Sequence, residues 1–128
     1  MPLTSFAETI PLMSAQLWLP VDGTNTKIIV AAQPTIWRMD TLLAINDDNT
    51  AHTMTVTLID PTSTIHGIGG VTIPALAGHP PNAQYDILAA LLPATQQGLA
   101  FPAGWAIEMT PAVAATSAIG IVATGGYF

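Results

Sequence analysis

Proline and glycine divide this chain into short segments. Its 128 residues include 11 prolines and 10 glycines, which recur at short intervals along the sequence. Proline removes a backbone hydrogen-bond donor from a helix or a central strand, and glycine weakens both elements. Such spacing leaves room for strands of about five to ten residues and little room for helices. The close spacing of proline and glycine therefore predicts an all-β fold.

Alternation of apolar and polar residues identifies the strands. In HTMTVTLID at 52–60, three threonines interleave with Met54, Val56 and Leu58, so one face is apolar and the other hydroxylated. The segment TIWRMDTLLAIN at 35–46 alternates for most of its length. The residues predicted to lie on its core face are Trp37, Met39, Thr41, Leu43 and Ile45.

The remaining segments complete the predicted domain. Further strands are predicted at 26–32, 105–110 and 116–128, with shorter edge strands at 16–20 and 70–74. One helix is predicted within 82–94, with a strand or an irregular loop as the alternatives. The prediction for residues 15–128 is an all-β, jelly-roll-like antiparallel β-sandwich of seven or eight strands. Residues 1–14 have no long pattern, and we predict an extended N-terminal arm.

Charged side chains are scarce. They make up 8% of the chain, against about 25% in an average soluble domain. Lys27 and Arg38 are the only fixed cations of the sequence, and the net charge is −6. Two cations cannot neutralise several phosphates, so we expect no nucleic-acid partner. Proline and glycine interrupt the long uncharged stretches, so we expect no membrane segment. The surface is instead expected to combine a solvent face of Thr, Ser, Asn and Gln with a larger part that protein partners cover.

The tetrad Asn46-Asp47-Asp48-Asn49 is a candidate cation site. Calcium takes about six to eight oxygen ligands, whereas the tetrad offers at most two carboxylates and two amides. Asparagine and aspartate also favour turns because they hydrogen-bond to their own backbone. The favoured interpretation is a hairpin turn with an acidic, solvent-facing tip. Whether Asp47 and Asp48 bind a cation stays open.

No other group of residues has the spacing of a catalytic or metal site. His52, His66 and His79 form no HxH, HxxxH or HExxH motif, and the chain has no cysteine. The serines form no GxSxG motif, and HGIGG at 66–70 is interpreted as a flexible turn. The three tryptophans are expected to pack in the core or an interface rather than to form a sugar-stacking platform. We therefore expect no enzyme activity, cofactor or metal.

The order of segments from residue 26 to residue 128 resembles a known group of proteins. TKIIVAAQPTIWRMDTLLAIND is followed by the threonine-rich HTMTVTLID, then by LAFPAGWAIEMT, and finally by TSAIGIVATGGYF. This order is similar to that of the small β-sandwich virion proteins of tailed bacteriophages, especially capsid decoration proteins. The resemblance implies a structural protein made in the host cytoplasm and bound to the capsid exterior. Its implied partners are the major capsid protein and further copies of the chain, often in trimers.

The resemblance leaves a second function open, a receptor- or glycan-binding module of a phage fibre or tail. A small hydrolase on a sandwich scaffold is a third and weaker hypothesis. For the first function, we predict that the arm docks on a neighbouring chain or capsid subunit and that a tryptophan fixes its exit from the domain. The predicted interface residues are Leu3, Phe6, Ile10, Leu12, Met13 and Trp18.

Overall fold

The computed structural model describes residues 10–92 and 98–127, which form two antiparallel sheets. The nine strands within these residues are β1 (Ile10–Trp18), β2 (Lys27–Val30), β3 (Trp37–Asn46), β4 (His52–Ile59), β5 (Ile65–Ile73), β6 (Tyr85–Asp86), β7 (Leu99–Phe101), β8 (Ala106–Pro111) and β9 (Ile119–Tyr127). A short helix α1 spans Ile87–Leu91, and a 3-10 turn spans Pro20–Asp22. No helix of the described residues is long and apolar enough to cross a membrane.

The strand order is that of a jelly roll. The five-stranded sheet has the order β1-β9-β3-β6, with β7 also paired to β3, and the four-stranded sheet has the order β2-β8-β4-β5. The chain passes back and forth between the two sheets, as two interleaved Greek keys require. The predicted all-β sandwich is confirmed. Strand β7 was not predicted, and β6 lies in the segment 82–94, where a strand was an alternative to the predicted helix; two and three residues are too short to leave an alternating pattern.

One apolar cluster fills the space between the sheets. The alternation of β4 is as predicted, because Met54 and Val56 are buried while Thr53 and Thr55 are exposed. The largest fully buried side chains are Trp18, Trp37, Ile29, Met39, Leu42, Met54, Ile73, Ile87, Ile107, Met109, Ile119 and Ile121.

Strand β3 departs from its predicted pattern in its second half. Its pairing with β9 shifts at Asp40, which is the extra residue of a β-bulge. Before the bulge, Trp37 and Met39 face the core as predicted, and beyond it the buried side chains are Leu42 and Ala44. One extra residue reverses the two faces because strand side chains alternate with a period of two. The prediction was therefore wrong for three residues, which lie on the outer face: Thr41, Leu43 and Ile45.

The bulge depends on a glycine in the neighbouring strand. A Cβ atom added to Gly125 of β9 would lie 1.9 Å from the carbonyl oxygen of Arg38 and 3.0 Å from the Cα of Met39. Real side chains do not approach a backbone this closely, so the two strands meet here only because Gly125 has no side chain.

Hydrogen bonds close the edge of the sandwich where β1 faces β2. Ser14 Oγ donates to the carbonyl oxygen of Ile29, and Gln16 Nε2 donates to that of Ile28 at 2.9 Å. Lys27 Nζ donates in the opposite direction, to the carbonyl oxygen of Leu17 at 2.8 Å. These bonds satisfy backbone groups that edge strands otherwise leave unpaired.

Helix α1 and strand β5 lie together at the opposite edge. The helix falls within the predicted range, and Asp86 caps it by accepting a hydrogen bond from the Ala89 N–H at 3.0 Å. HGIGG is part of β5, so the prediction of a flexible turn was wrong. Pairing with β4 orders this segment, and a Cβ on Gly69 would lie 3.2 Å from Leu91 Cδ2.

The last five residues of the predicted arm are part of the sheet. Residues 10–14 belong to β1, which pairs with β9 through nine consecutive residues, from Ile10 opposite Tyr127 to Trp18 opposite Ile119. Pairing with β9 makes this segment a strand, although its own alternation of apolar and polar residues is weak. Residues 1–9 lie outside the described part of the chain.

We expect Gly125→Ala to lower the free energy of unfolding by about 1–3 kcal/mol, because its Cβ must displace backbone at the bulge. The matched control is Gly67→Ala in β5, where an added Cβ meets nothing within 4 Å. The control should change stability by no more than about 0.5 kcal/mol. Urea denaturation of both variants measures the difference, and equal effects would contradict this role of Gly125.

Candidate assembly surface

The outer face of the five-stranded sheet carries a grid of nine residues. Strand β9 lies between β1 and β3, and the two registers align the strands into rows. The rows are Met13–Thr124–Thr41, Ala15–Val122–Leu43 and Leu17–Gly120–Ile45. We call these nine residues the apolar patch. The hydroxyl groups of Thr41 and Thr124 are hydrogen-bonded to each other.

The apolar patch contains no charged residue. Its exposed margin is formed by Met13, which is 78% exposed, and Leu17, which is 48% exposed. The next row of the same face holds Arg38, whose Nε lies 2.6 Å from Asp40 Oδ1, so these two charges neutralise each other. The solvent face of an antiparallel sheet normally carries polar side chains. Asp86, which pairs with Leu43, borders the patch on its β6 side. A contiguous apolar patch on an exposed sheet face is a candidate surface for binding protein.

The outer face of the four-stranded sheet has different chemistry. It presents exposed threonines, among them Thr53 and Thr55 of β4. Thr53 Oγ1 lies 3.2 Å from Thr72 Oγ1, and Thr26 Oγ1 lies 2.7 Å from Thr110 Oγ1. We call this the threonine face. Because its side chains combine hydroxyl groups with short apolar stems, it is compatible with water. The two outer faces of the sandwich therefore differ in what they can contact.

The structure brings one predicted interface residue into the apolar patch, Met13. Ile10 is 47% exposed at the start of β1 but lies outside the grid. Leu3 and Phe6 lie outside the described residues. Sequence reasoning missed the other eight residues of the patch because most of them come from β9 and β3. Their grouping depends on strand pairing.

The other two predicted interface residues face the interior. Leu12 is partly buried and packs against the core. Trp18 is fully buried, and its Nε1–H donates to the carbonyl oxygen of Asn25 at 2.8 Å. Trp18 thus fixes the end of β1 and the turn that follows it.

The acidic tetrad connects two sheets. It joins β3 to β4, which belong to different sheets, so the tetrad is a turn but not the predicted hairpin. Asn46 is buried; its Nδ2 donates to the carbonyl oxygens of Thr50 at 2.9 Å and Pro74 at 3.1 Å. Asp47 is exposed, as predicted for an acidic tip, but Asp48 is 1% exposed. The prediction of a solvent-facing tip was wrong for Asp48.

Asp48 is held as a buried carboxylate. Its Oδ2 accepts a hydrogen bond from the Thr116 N–H at 2.9 Å and lies 2.5 Å from His52 Nε2. Burial opposes ionisation and raises the pKa of Asp48. Hydrogen bonds from Thr116, His52 and Ser117 outweigh this effect and lower the pKa to about 2. Asp48 therefore links the tetrad to the β8–β9 loop.

Every histidine is paired with a different aspartate. The pairs are His52 with Asp48 at 2.5 Å, His66 with Asp60 at 2.9 Å and His79 with Asp47 at 2.6 Å. The two adjacent carboxylates of the tetrad thus contact different histidines. In residues 10–92 and 98–127, no group of three or more histidine, aspartate or glutamate side chains could hold a metal ion.

The tryptophans do not form an exposed platform. Trp18 and Trp37 are fully buried. Trp105 is partly buried and stacks on His66, with 5.5 Å between the ring centroids. Two open grooves, of about 440 and 350 Å³, lie elsewhere, and neither is lined by tryptophan. Glycan binding stays a prediction that no feature of the described residues favours.

The pKa of Asp48 predicts a pH-dependent stability. Because its folded-state pKa of about 2 is below the ordinary value of about 3.9, the carboxylate stabilises the fold above that ordinary value. This contribution is lost as pH falls through about 2. We expect Asp48→Asn to lower the free energy of unfolding at neutral pH by about 1–3 kcal/mol, with a deficit that shrinks in acid.

The matched control is Asp47→Asn, which alters the neighbouring exposed pair with His79. This control should cost about 0.5 kcal/mol or less. Denaturant titrations between neutral pH and acid measure both variants. If Asp48→Asn lowered the free energy of unfolding by the same amount at every pH, the stabilising role of the Asp48 carboxylate would be contradicted.

No protein-family model matches this chain, and no curated protein sequence matches it. Among solved structures, the chain is similar to the Drosophila NLP core, described in connection with pentamer formation and histone binding. The TM-score is 0.46 and the identity 10%, over 94% of this chain and 99% of that chain. It is also similar to a chain of infectious bursal disease virus, Gt strain, with a TM-score of 0.35 and 12% identity, over 93% of this chain and 32% of that chain. For the Gx strain the TM-score is 0.35 and the identity 10%, over 94% of this chain and 33% of the viral chain. This chain thus spans about a third of the viral chains, and the similarities concern the fold alone.

Proposed function

We propose that this chain is a non-enzymatic structural protein that binds the outside of an assembled phage capsid and stabilises it. The observation that carries the proposal is the apolar patch, nine uncharged residues on the opposite side of the sandwich from the threonine face. On the particle, the patch is buried against protein and the threonine face is turned to solvent. The proposed partners are the major capsid protein and further copies of this chain.

The size of the patch favours a protein that acts in many copies. Strands about 4.8 Å apart and rows about 6.8 Å apart give the grid an area of roughly 300 Å². Six of its nine residues are already partly covered, so burying it contributes at most about 7 kcal/mol at about 25 cal/mol per Å². Association costs about 4–15 kcal/mol. A single contact of this kind is weak. Repetition on a symmetric lattice raises the occupancy, because each bound copy is held by several contacts.

Site-specific labelling tests the orientation. The chain has no cysteine, so one introduced cysteine reports on one position. In the free folded protein, Met13→Cys on the patch and Thr55→Cys on the threonine face should both react with a water-soluble maleimide, because both positions are exposed. On purified virions that contain the protein, we expect Thr55→Cys to react and Met13→Cys to be protected.

Two outcomes would overturn the proposal. One is equal labelling of both positions on intact virions. The other is the absence of the chain from virions, or a copy number of a few to a dozen, which is typical of a tail or a vertex rather than a lattice. Quantitative mass spectrometry of the purified particles measures this number.

The predicted arm adds a separate test. Deleting residues 1–9, which include Leu3 and Phe6, leaves β1 complete, so we expect the melting temperature to be retained. Occupancy on capsids should fall in a co-sedimentation assay, because the arm supplies apolar contacts to a neighbour. Replacing Leu3 and Phe6 by serine, at unchanged length, should reproduce the loss. Undiminished occupancy of both variants would contradict a docking role for the arm.

A further inference from the structure

The turn between β4 and β5 contains the one aspartyl-prolyl bond of the sequence, Asp60–Pro61. Mild acid cleaves this type of peptide bond, whose nitrogen belongs to a tertiary amide, more readily than any other. An oxygen of the protonated aspartate side chain adds to the carbonyl carbon of the same residue. The bond from this carbon to the proline nitrogen breaks, and the nitrogen keeps its electron pair and takes up the carboxyl proton. Water then opens the cyclic anhydride, and the products are the fragments 1–60 and 61–128.

The backbone of this turn favours the reaction. The carbonyl oxygen of Asp60, on the carbon that is attacked, accepts a hydrogen bond from the Ser63 N–H at 2.9 Å. A donor at this position stabilises the negative charge that the oxygen acquires during the attack. Water has access to the bond, because Pro61, Thr62 and Ser63 are all exposed. The backbone alone therefore leaves the bond open to cleavage.

The side chain of Asp60, in contrast, is held away from its own carbonyl carbon. Its Oδ1 accepts three hydrogen bonds, from the Thr62 N–H at 2.9 Å, from Thr62 Oγ1 at 2.6 Å and from the Thr64 N–H at 2.9 Å. Its Oδ2 lies 2.9 Å from His66 Nε2. We call Asp60, Thr62, Thr64 and His66 the Asp60 network. Neither carboxylate oxygen can attack the carbonyl carbon without giving up hydrogen bonds of this network.

The same bonds withhold the proton that the reaction needs. Hydrogen bonds from Thr62, His66 and Thr64 lower the pKa of Asp60 below its ordinary value. In the folded chain the carboxylate therefore stays ionised at an acidity that protonates an unfolded aspartate, and it has no proton to give to the leaving nitrogen. His66, the titratable group in contact with Asp60, is fixed in turn by stacking on Trp105, with 5.5 Å between the ring centroids.

We infer that Asp60–Pro61 is a latent cleavage site, which the Asp60 network keeps closed in the folded chain and which opens in acid when the network is lost. Packing of the proline adds to the protection, because a Cβ on Gly104 would lie only 2.9 Å from Pro61 Cγ. Folded copies of the chain should survive acid intact, whereas unfolded copies should divide at the β4–β5 turn. The inference goes beyond the proposed function and does not depend on it.

Intact-mass spectrometry of the full chain in acid tests the inference. A pH of about 3 lies between the pKa of about 2 for Asp48 and the ordinary aspartate value of about 3.9. In guanidinium chloride at this pH, we expect the fragments 1–60 and 61–128 to accumulate, and Asp60→Asn to yield neither. Without denaturant, cleavage should be slower by about a hundredfold or more, because the attack must first break hydrogen bonds to a charged group.

Two variants open the network while preserving the shape of the turn. Thr62→Val removes the hydroxyl donor, and His66→Phe removes the ring nitrogen but keeps a ring that can stack on Trp105. Each should raise the cleavage rate of the native chain by about tenfold. In denaturant, each should be cleaved at the rate of the unaltered chain, because the network is absent there. The matched control is Thr53→Val near the other end of β4, which should change neither rate.

Circular dichroism at the same pH verifies that each variant is folded. If Thr62→Val unfolds, the comparison is repeated in sucrose, which stabilises compact states. Thr62→Ser provides a further measurement, since it keeps the hydroxyl group and should keep the protection. The inference is overturned if the native chain is cleaved as fast as the denatured chain. It is also overturned if native Thr62→Val and native His66→Phe are cleaved no faster than Thr53→Val.

Discussion

One extra residue in β3 determines what both faces of the five-stranded sheet contain. Because the bulge at Asp40 reverses the alternation, the side chains of Leu43 and Ile45 lie on the outer face, and Asn46 enters the interior at the end of the strand. Without the bulge, the apolar patch would lose its two large residues on β3. The bulge in turn needs Gly125, whose missing side chain lets the Arg38 carbonyl approach β9. A backbone irregularity at one end of the sheet thus controls the chemistry of its exposed face.

The few charges of the chain are used to fix its loops and strand ends. Each cationic or titratable basic side chain of the described residues contacts an aspartate. The pairs are Lys27 with Asp22, Arg38 with Asp40, His52 with Asp48, His66 with Asp60 and His79 with Asp47. The eight carboxylates still outnumber the two fixed cations, so the chain keeps a net charge of −6.

Most strands could be predicted from local alternation, but their faces and connections could not. Strand β4 was predicted well because its alternation is uninterrupted and its partners lie on both sides. HGIGG was missed because glycine carries no side-chain pattern, and its strand conformation comes from pairing with β4. The tetrad has the composition of a turn, but whether a turn joins neighbours or crosses between sheets depends on distant strands. The strand that pairs with β3 along most of its length, for example, is β9, which lies more than 70 residues further along the chain.

The apolar patch could be predicted least, because strand pairing brings together residues that are far apart in the sequence. The segment TSAIGIVATGGYF nevertheless contains a signal. Both of its faces are apolar or small: Ile119 and Ile121 face the core, while Gly120 and Val122 lie on the outer face. A strand that is apolar on both faces is typical of a sheet covered on both sides. In this sandwich the core covers one face of β9. Its other face carries Gly120, Val122 and Thr124, which are small or β-branched and uncharged, so the strand itself shows the pattern on which the proposed burial of the patch rests.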